Sequence, residues 1–238
     1  MNSLELKKFF EIINYDYKKD FENLKKIILL TKTRKKISNV ATLPYGCEQT
    51  FLIKAIAQYK KSTNLFEIGS GRGTAAFAVS LENSIQEVIS IDILRPNIPR
   101  FIYVNYKKKF ISLNKLKKLV PFPQTNKIIF KHISETNNLI EKYKGSIDLV
   151  FIDGNHTDIE IINNDINIAL KLLSKNGVII FDDYDFKEFS VKKVVDNFLQ
   201  TNPDFDALFI QFRGHLFDLE NKELTGGIVL VSKKKLFN

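Results

Sequence analysis

The 238-residue chain reads as an α/β protein: a doubly wound, mostly parallel seven-stranded sheet with N-terminal helices and a C-terminal antiparallel hairpin. Short apolar runs rich in β-branched residues recur at 65–68, 87–93, 127–131, 147–152 and 177–181. Helix-patterned stretches at 73–82, 135–144 and 158–173 lie between them, and such alternation marks a parallel sheet covered on both faces. The tail differs: two further strand-like runs, 206–212 and 226–232, are separated only by a polar segment, which predicts a hairpin added to the sheet.

Taken in order, residues 1–37 are lysine-rich, with Leu4, Phe9, Ile12 and Ile13, then Phe21, Leu24, Ile27 and Ile28, at helical spacing. They predict one or two amphipathic helices. Segment 38–46 reads as a loop, and 47–60 as a helix turning Phe51, Leu52, Ile56 and Tyr59 inward. The strand–helix alternation then begins. Its second and third strands are joined by 94–126, longer than the roughly dozen residues a crossover needs. This connection holds RPNIPR, lysines at 107–109 and 117–118, and PFP at 121–123. It predicts an inserted helix or lid that selects the ligand. The organisation expected is an N-terminal helical extension, 1–44, and a main domain, 45–238, with the 94–126 insertion.

Composition narrows the function classes. A hydrophobic fraction of 44% with 12% aromatics supplies a packed core and excludes a disordered chain. One cysteine excludes a disulfide scaffold and multi-cysteine metal centres, and fits a reducing compartment. The sequence has no apolar run of about 18 residues, and MNSLELKKFF carries charges where a signal peptide needs its apolar stretch. A soluble, cytoplasmic protein without a membrane partner is expected. Net charge is +9, but arginine stands only at 34, 72, 95, 100 and 213, leaving 31 of the 36 basic residues as lysine. Nucleic-acid surfaces favour arginine for bidentate contacts, so a nucleic-acid partner is disfavoured.

The sharpest local signal is FEIGSGRGTAAFAVS, 66–80, where a strand ends and a helix starts across glycines 69, 71 and 73. Glycines there permit positive φ and close approach of a ligand to the backbone, with a helix N-terminus behind. The spacing is not the G-x-G-x-x-G of dinucleotide sites, and Glu67 before the loop suits a cationic amine better than a pyrophosphate. Asp92 closes the next strand, placed for ribose hydroxyls. This E-x-G-x-G-x-G stretch, with an acid ending the second strand, resembles the class I S-adenosylmethionine-dependent methyltransferases, whose Rossmann-like order of elements is similar to that running from about residue 45 to the C-terminus. The resemblance implies that Gly69, Ser70, Gly71 and Gly73 cradle the methionine moiety, that Glu67 influences its amino end, and that Asp92 holds the ribose. It also implies an adenine contact at Ser134, although FKHISET (130–136) lacks the Gly-Asp pair of the family's third-strand motif. Tyr45, Glu48 and Gln49 fall where relatives place a further cofactor-contacting segment.

A second signal is IDLVFIDGNHTD, 147–158, with GVIIFDDYD, 177–185. Asp153, Asp182 and Asp183 follow two strands whose ends lie about 5 Å apart in a parallel sheet. Uncompensated carboxylates repel one another, and a hard divalent cation such as Mg²⁺ resolves this. Singly, each is as readily a helix cap. Together they resemble the metal-dependent O-methyltransferases related to the catechol and caffeoyl-coenzyme A enzymes. The stretch Asp153-Gly154-Asn155-His156 is similar to a D-G-x-H stretch of bacterial sugar and antibiotic O-methyltransferases. The resemblance implies metal ligation by Asp153, Asp182 and Asp183. His156 stands where the catechol-type enzymes carry a lysine, considered the general base; its other reading is a turn residue capping the next helix.

The combined resemblance implies a divalent-metal-dependent O-methyltransferase with S-adenosylmethionine as methyl donor. A metal lowers the pKa of a bound hydroxyl, a histidine accepts its proton, and alignment with the sulfonium supplies further acceleration. The acceptor expected is a small hydroxylated molecule, a sugar or secondary metabolite, and an anionic one if the inserted lysines line the entrance. The alternatives are a metal-independent N-methyltransferase on a small amine and an RNA-binding or RNA-modifying methyltransferase; a homo-oligomer is left open. His132 reads as structural or adenine-side, His215 as a loop residue and Cys47 as a small apolar residue.

Overall fold

The computed structural model describes residues 1–31, 47–104, 107–212 and 226–233, so the expected loop at 38–46, Tyr45 and His215 lie outside the described residues. The chain starts with β1 (Asn2–Glu5), α1 (Leu6–Ile12), α2 (Tyr17–Thr31) and α3 (Glu48–Lys60). Then come β2 (Asn64–Ile68), α4 (Thr74–Ser80) and β3 (Glu87–Asp92). The insertion contributes β4 (Arg100–Val104), β5 (Lys107–Ile111) and α5 (Leu113–Lys117). The series continues with β6 (Ile128–His132), α6 (Thr136–Tyr143), β7 (Ile147–Ile152), α7 (Ile159–Leu172) and β8 (Leu173–Phe181). It ends with α8 (Val191–Thr201), β9 (Asp206–Phe212) and β10 (Gly226–Ser232).

The main sheet runs β6-β3-β2-β7-β8-β10-β9-β1. Strands β6, β3, β2, β7 and β8 are mutually parallel, and β10 is antiparallel to both β8 and β9, which is the expected C-terminal hairpin. From β2 the chain builds outward to β3 and β6, then returns to place β7 on the other side of β2. The strand order therefore switches between β2 and β7, where the loops leaving their carboxyl ends diverge and open a crevice.

Burial explains why these runs read as continuous apolar strands. Leu65, Val88, Leu149, Phe151, Val178 and Ile180 join the core beneath α3 and α4. Their alternates Phe66, Ile68, Ile89, Ile91, Val150, Ile152 and Ile179 join the core beneath α6, α7 and α8. With side chains alternating across the sheet and both faces covered, apolar residues fill most positions on both faces, Glu67 and Ser90 being the buried polar exceptions beside the site.

Four details differ from expectation. An eighth strand, β1, pairs parallel to β9 with Asn2 opposite Leu208 and Glu5 opposite Gln211, so the N-terminal segment is not wholly helical. The insertion forms an antiparallel hairpin, β4–β5, followed by the short α5, with Ile102 and Val104 buried and Phe101 and Phe110 exposed. Tyr59, expected inward, is 40% exposed near the end of α3. The sequence expectations do not include α8, although its buried Val191, Val194, Val195 and Phe198 fall at i, i+3, i+4 and i+7.

Candidate active site

The loop after β2 turns sharply because its backbone is left-handed: φ is 97° at Gly69 and 48° at Gly71. At Gly69 a Cβ would stand 2.1 Å from the Asp153 carbonyl oxygen, so only glycine lets the β2 loop pass the end of β7. At Gly71 a Cβ would meet nothing within 4 Å, because this residue faces an open cavity of about 320 Å³. Gln49, Glu67, Ser70, Gly71, Thr74 and Asp153 line it. The loop is held from both sides, by Gly69 and Ser70 amides donating to the Ile91 carbonyl at 2.9 and 3.1 Å, and by Arg72 donating to the Thr31 carbonyl at 3.0 Å.

Glu67, on β2 beneath this loop, is 2% exposed. Its carboxylate accepts a hydrogen bond from Ser90, whose Oγ lies 2.7 Å from Ser70 Oγ. Burial pushes the Glu67 carboxyl up to about 8; the Ser90 hydrogen bond works against this and the Asp92 charge adds to it. A neutral carboxyl beside this cavity is suited to ionise when a cation arrives.

Asp92 stands at the end of β3, its Oδ2 accepting from the Gly71 amide at 3.0 Å and its Oδ1 from the Leu94 amide at 2.8 Å. It therefore touches the glycine loop directly. Beyond it, His132 is the register partner of Asp92 on β6, with Nε2 3.1 Å from the Ile93 carbonyl oxygen and Nδ1 2.7 Å from Ser134 Oγ. Ser134 thus lies on the Asp92 side of the site, engaged with His132.

Asp153 follows β7 and lines the cavity opposite Gly71, and its amide donates to the Ile68 carbonyl at 2.9 Å. Asp182 and Asp183 follow β8. His156 sits between two of the acids, with Nε2 3.6 Å from Asp153 Oδ1 and 3.8 Å from Asp183 Oδ2. Its ring stacks on Phe189 with centroids 5.0 Å apart, and its carbonyl accepts from the Ser190 amide at 2.7 Å. Asp182 turns instead to α3, where it accepts a hydrogen bond from Gln49. Helix α7 is capped by Asp158, which accepts from Glu160 and Ile161 amides, so His156 is not its cap.

The structure thus gathers Glu67, Gly69, Ser70, Gly71, Gly73 and Asp92 around one loop, and Asp153, His156 and Asp183 beside it. Carboxylate oxygens are the right donors for a hard cation. No group of three or more His, Cys, Asp or Glu side chains among the described residues is arranged to hold a metal ion, and Asp182 is turned to Gln49. Two contacts were not legible in the sequence. The Gln49–Asp182 pair joins residues 133 apart, and Arg100 reaches Asp92 from the insertion. Cys47 is buried, as expected of a small apolar residue.

Solved structures with the same fold include an O-methyltransferase of Streptomyces achromogenes, TomG, involved in tomaymycin synthesis and solved with SAM (16% identity, 86% of this chain and 92% of that chain, TM-score 0.56). An O-methyltransferase from Bacillus cereus in complex with SAH aligns at 12% identity over 88% of this chain and 90% of that chain, TM-score 0.57. An SAH-bound methyltransferase of Podospora anserina aligns at 16% identity over 90% and 87%, TM-score 0.56. A search of curated proteins finds no match. Among the described residues no helix is long and apolar enough to cross a membrane. A family model described as a methyltransferase domain matches residues 66–184, half of the chain, from the strand that carries Glu67 through Asp92, Asp153 and His156 to the Asp182–Asp183 pair, and the chain belongs to that methyltransferase family.

Proposed function

We propose that this methyltransferase moves the methyl group of S-adenosylmethionine to a hydroxyl of a small acceptor, a sugar or secondary metabolite, with His156 as general base. The observation that carries the proposal is the position of His156: Asp153 both lines the glycine-loop cavity and stands 3.6 Å from His156 Nε2. A base next to Asp153, a lining residue of that cavity, would serve transfer to oxygen. The ammonium of the methionine moiety would lie toward Glu67, the ribose toward Asp92 and the adenine toward Ser134. The acceptor oxygen attacks the methyl carbon, the carbon–sulfur bond breaks, and S-adenosylhomocysteine leaves as His156 takes the hydroxyl proton. Asp153 and Asp183 both approach the His156 Nε2, at 3.6 and 3.8 Å.

A divalent cation, Mg²⁺ by donor type, would need Asp182 released from Gln49 before Asp153, Asp182 and Asp183 could hold it together; held there, it would acidify the acceptor hydroxyl. With Asp182 turned to Gln49, the two acids at His156 are also suited to a substrate ammonium, which is the metal-independent N-methyl alternative. A lysine-bearing insertion favours an anionic acceptor, and the single cysteine suits the cytoplasm. The test is a transfer assay with methyl-labelled donor against panels of hydroxylated and amine acceptors. His156→Ala is expected to lower kcat by about 10²–10⁴-fold with donor affinity unchanged. EDTA and Asp153→Ala are expected to suppress O-methylation. Full activity in His156→Ala would remove the base, and activity confined to amines and indifferent to EDTA would establish the alternative.

A further inference from the structure

Arg100 begins β4 of the inserted hairpin, yet its side chain ends at the edge of the glycine loop. Nη1 donates to Asp92 Oδ2 at 3.1 Å and to the Gly71 carbonyl oxygen at 2.8 Å, and Nη2 donates to the Leu94 carbonyl oxygen at 3.2 Å. The side chain is only 13% exposed, and its Nε is buried without a partner among the described residues. One guanidinium thus bridges the inserted hairpin, the cofactor loop and the acid at the end of β3. Its rigid fork of donors suits three acceptors at once, which a lysine ammonium on a flexible stem does not match.

The consequence lies in the acceptor capacity of Asp92. A carboxylate offers about four lone-pair sites. Two on Oδ2 are filled, by the Gly71 amide at 3.0 Å and by Arg100, and one on Oδ1 is filled by the Leu94 amide at 2.8 Å. Among the described residues one site remains, on Oδ1, for a ribose that would offer two neighbouring hydroxyls.

We propose that Arg100 is a positioning residue for the ribose-binding acid: by saturating Oδ2 it makes Asp92 read a single ribose hydroxyl, through Oδ1, while it clamps the inserted hairpin to the glycine loop. This role rests on S-adenosylmethionine being the methyl donor, and it gives the insertion a part in cofactor recognition as well as in acceptor selection.

The test is calorimetric titration of the full chain with S-adenosylhomocysteine and with its 2′-deoxy and 3′-deoxy analogues. In the unaltered protein one deoxy analogue is expected to bind about tenfold more weakly, the worth of one hydrogen bond to a charged acceptor, and the other within about twofold of the parent. Arg100→Ala opens Oδ2, so both deletions should then weaken binding. Arg100→Lys keeps one charged donor on Oδ2 and should restore the one-hydroxyl pattern, which a merely structural role would not predict. Should Arg100→Ala fail to fold, the unaltered protein and Arg100→Lys still decide. Equal losses for both analogues in the unaltered protein, or an unchanged pattern in a folded Arg100→Ala, would overturn the proposal while leaving the cofactor assignment intact. Failure of the unaltered protein to bind S-adenosylhomocysteine at all would overturn both.

Discussion

Glu67 shows how one residue ties stability to ligand binding. Its carboxyl, ordinarily near 4.5, is raised to about 8 in the folded chain, so the folded state holds a proton that the unfolded state releases. A raised pKa gives stability that is complete below 4.5 and is lost as pH rises through about 8. Asp165, buried on α7 and pushed by burial from 3.8 to about 6, acts in the same direction in a lower window. The interval from 6 to 8 therefore isolates Glu67. Denaturant unfolding of the ligand-free protein is expected to show stability falling across that interval, and Glu67→Gln should flatten the fall; an unaltered slope in the variant would show that Glu67 is not the titrating group. Much of the site at this scale was legible, because Gly69, Gly71, Asp92, Asp153 and His156 are set by spacing from strand ends. Ser90, Arg100 and the pairing of Gln49 with Asp182 were not, because these contacts join residues that only the folded sheet and the insertion bring together.

At the scale of elements, β1 matters beyond its four residues. It covers the outer edge of β9, which would otherwise present unpaired backbone groups to solvent or to another chain. Deleting residues 2–5 is expected to destabilise the fold, each kcal/mol lost lowering Tm by roughly 2–4 °C for a chain of this size. Light scattering on warming should rise in the truncated protein. Unchanged melting without scattering would show that the β9 edge needs no cover. The strand escaped a sequence reading because NSLE is too short and too polar to show alternation beside the helical pattern after it. The β4–β5 hairpin escaped for a related reason: Lys107 to Phe110 are all exposed, so β5 has no buried face to write a period of two into the sequence. Helix α8, by contrast, carries a clear helical period.

Across the whole molecule the parallel core was readable because both faces of the sheet are buried, which makes the central strands predominantly apolar on both faces. The topology then does the functional work. The strand order switches between β2 and β7, bringing the glycine loop against Asp153 at 2.9 Å between Asp153 N and Ile68 O, and His156 lies three residues on. Every proposed role depends on a methyl donor occupying the cavity beside Gly71. The most direct test is equilibrium titration of the purified chain with S-adenosylmethionine, in parallel with Gly71→Arg, whose side chain would extend into that cavity from a position with room for it. Saturable binding by the unaltered protein, abolished in a Gly71→Arg variant that still unfolds cooperatively, is the predicted result. No binding by the unaltered protein, or equal binding by both, would contradict it.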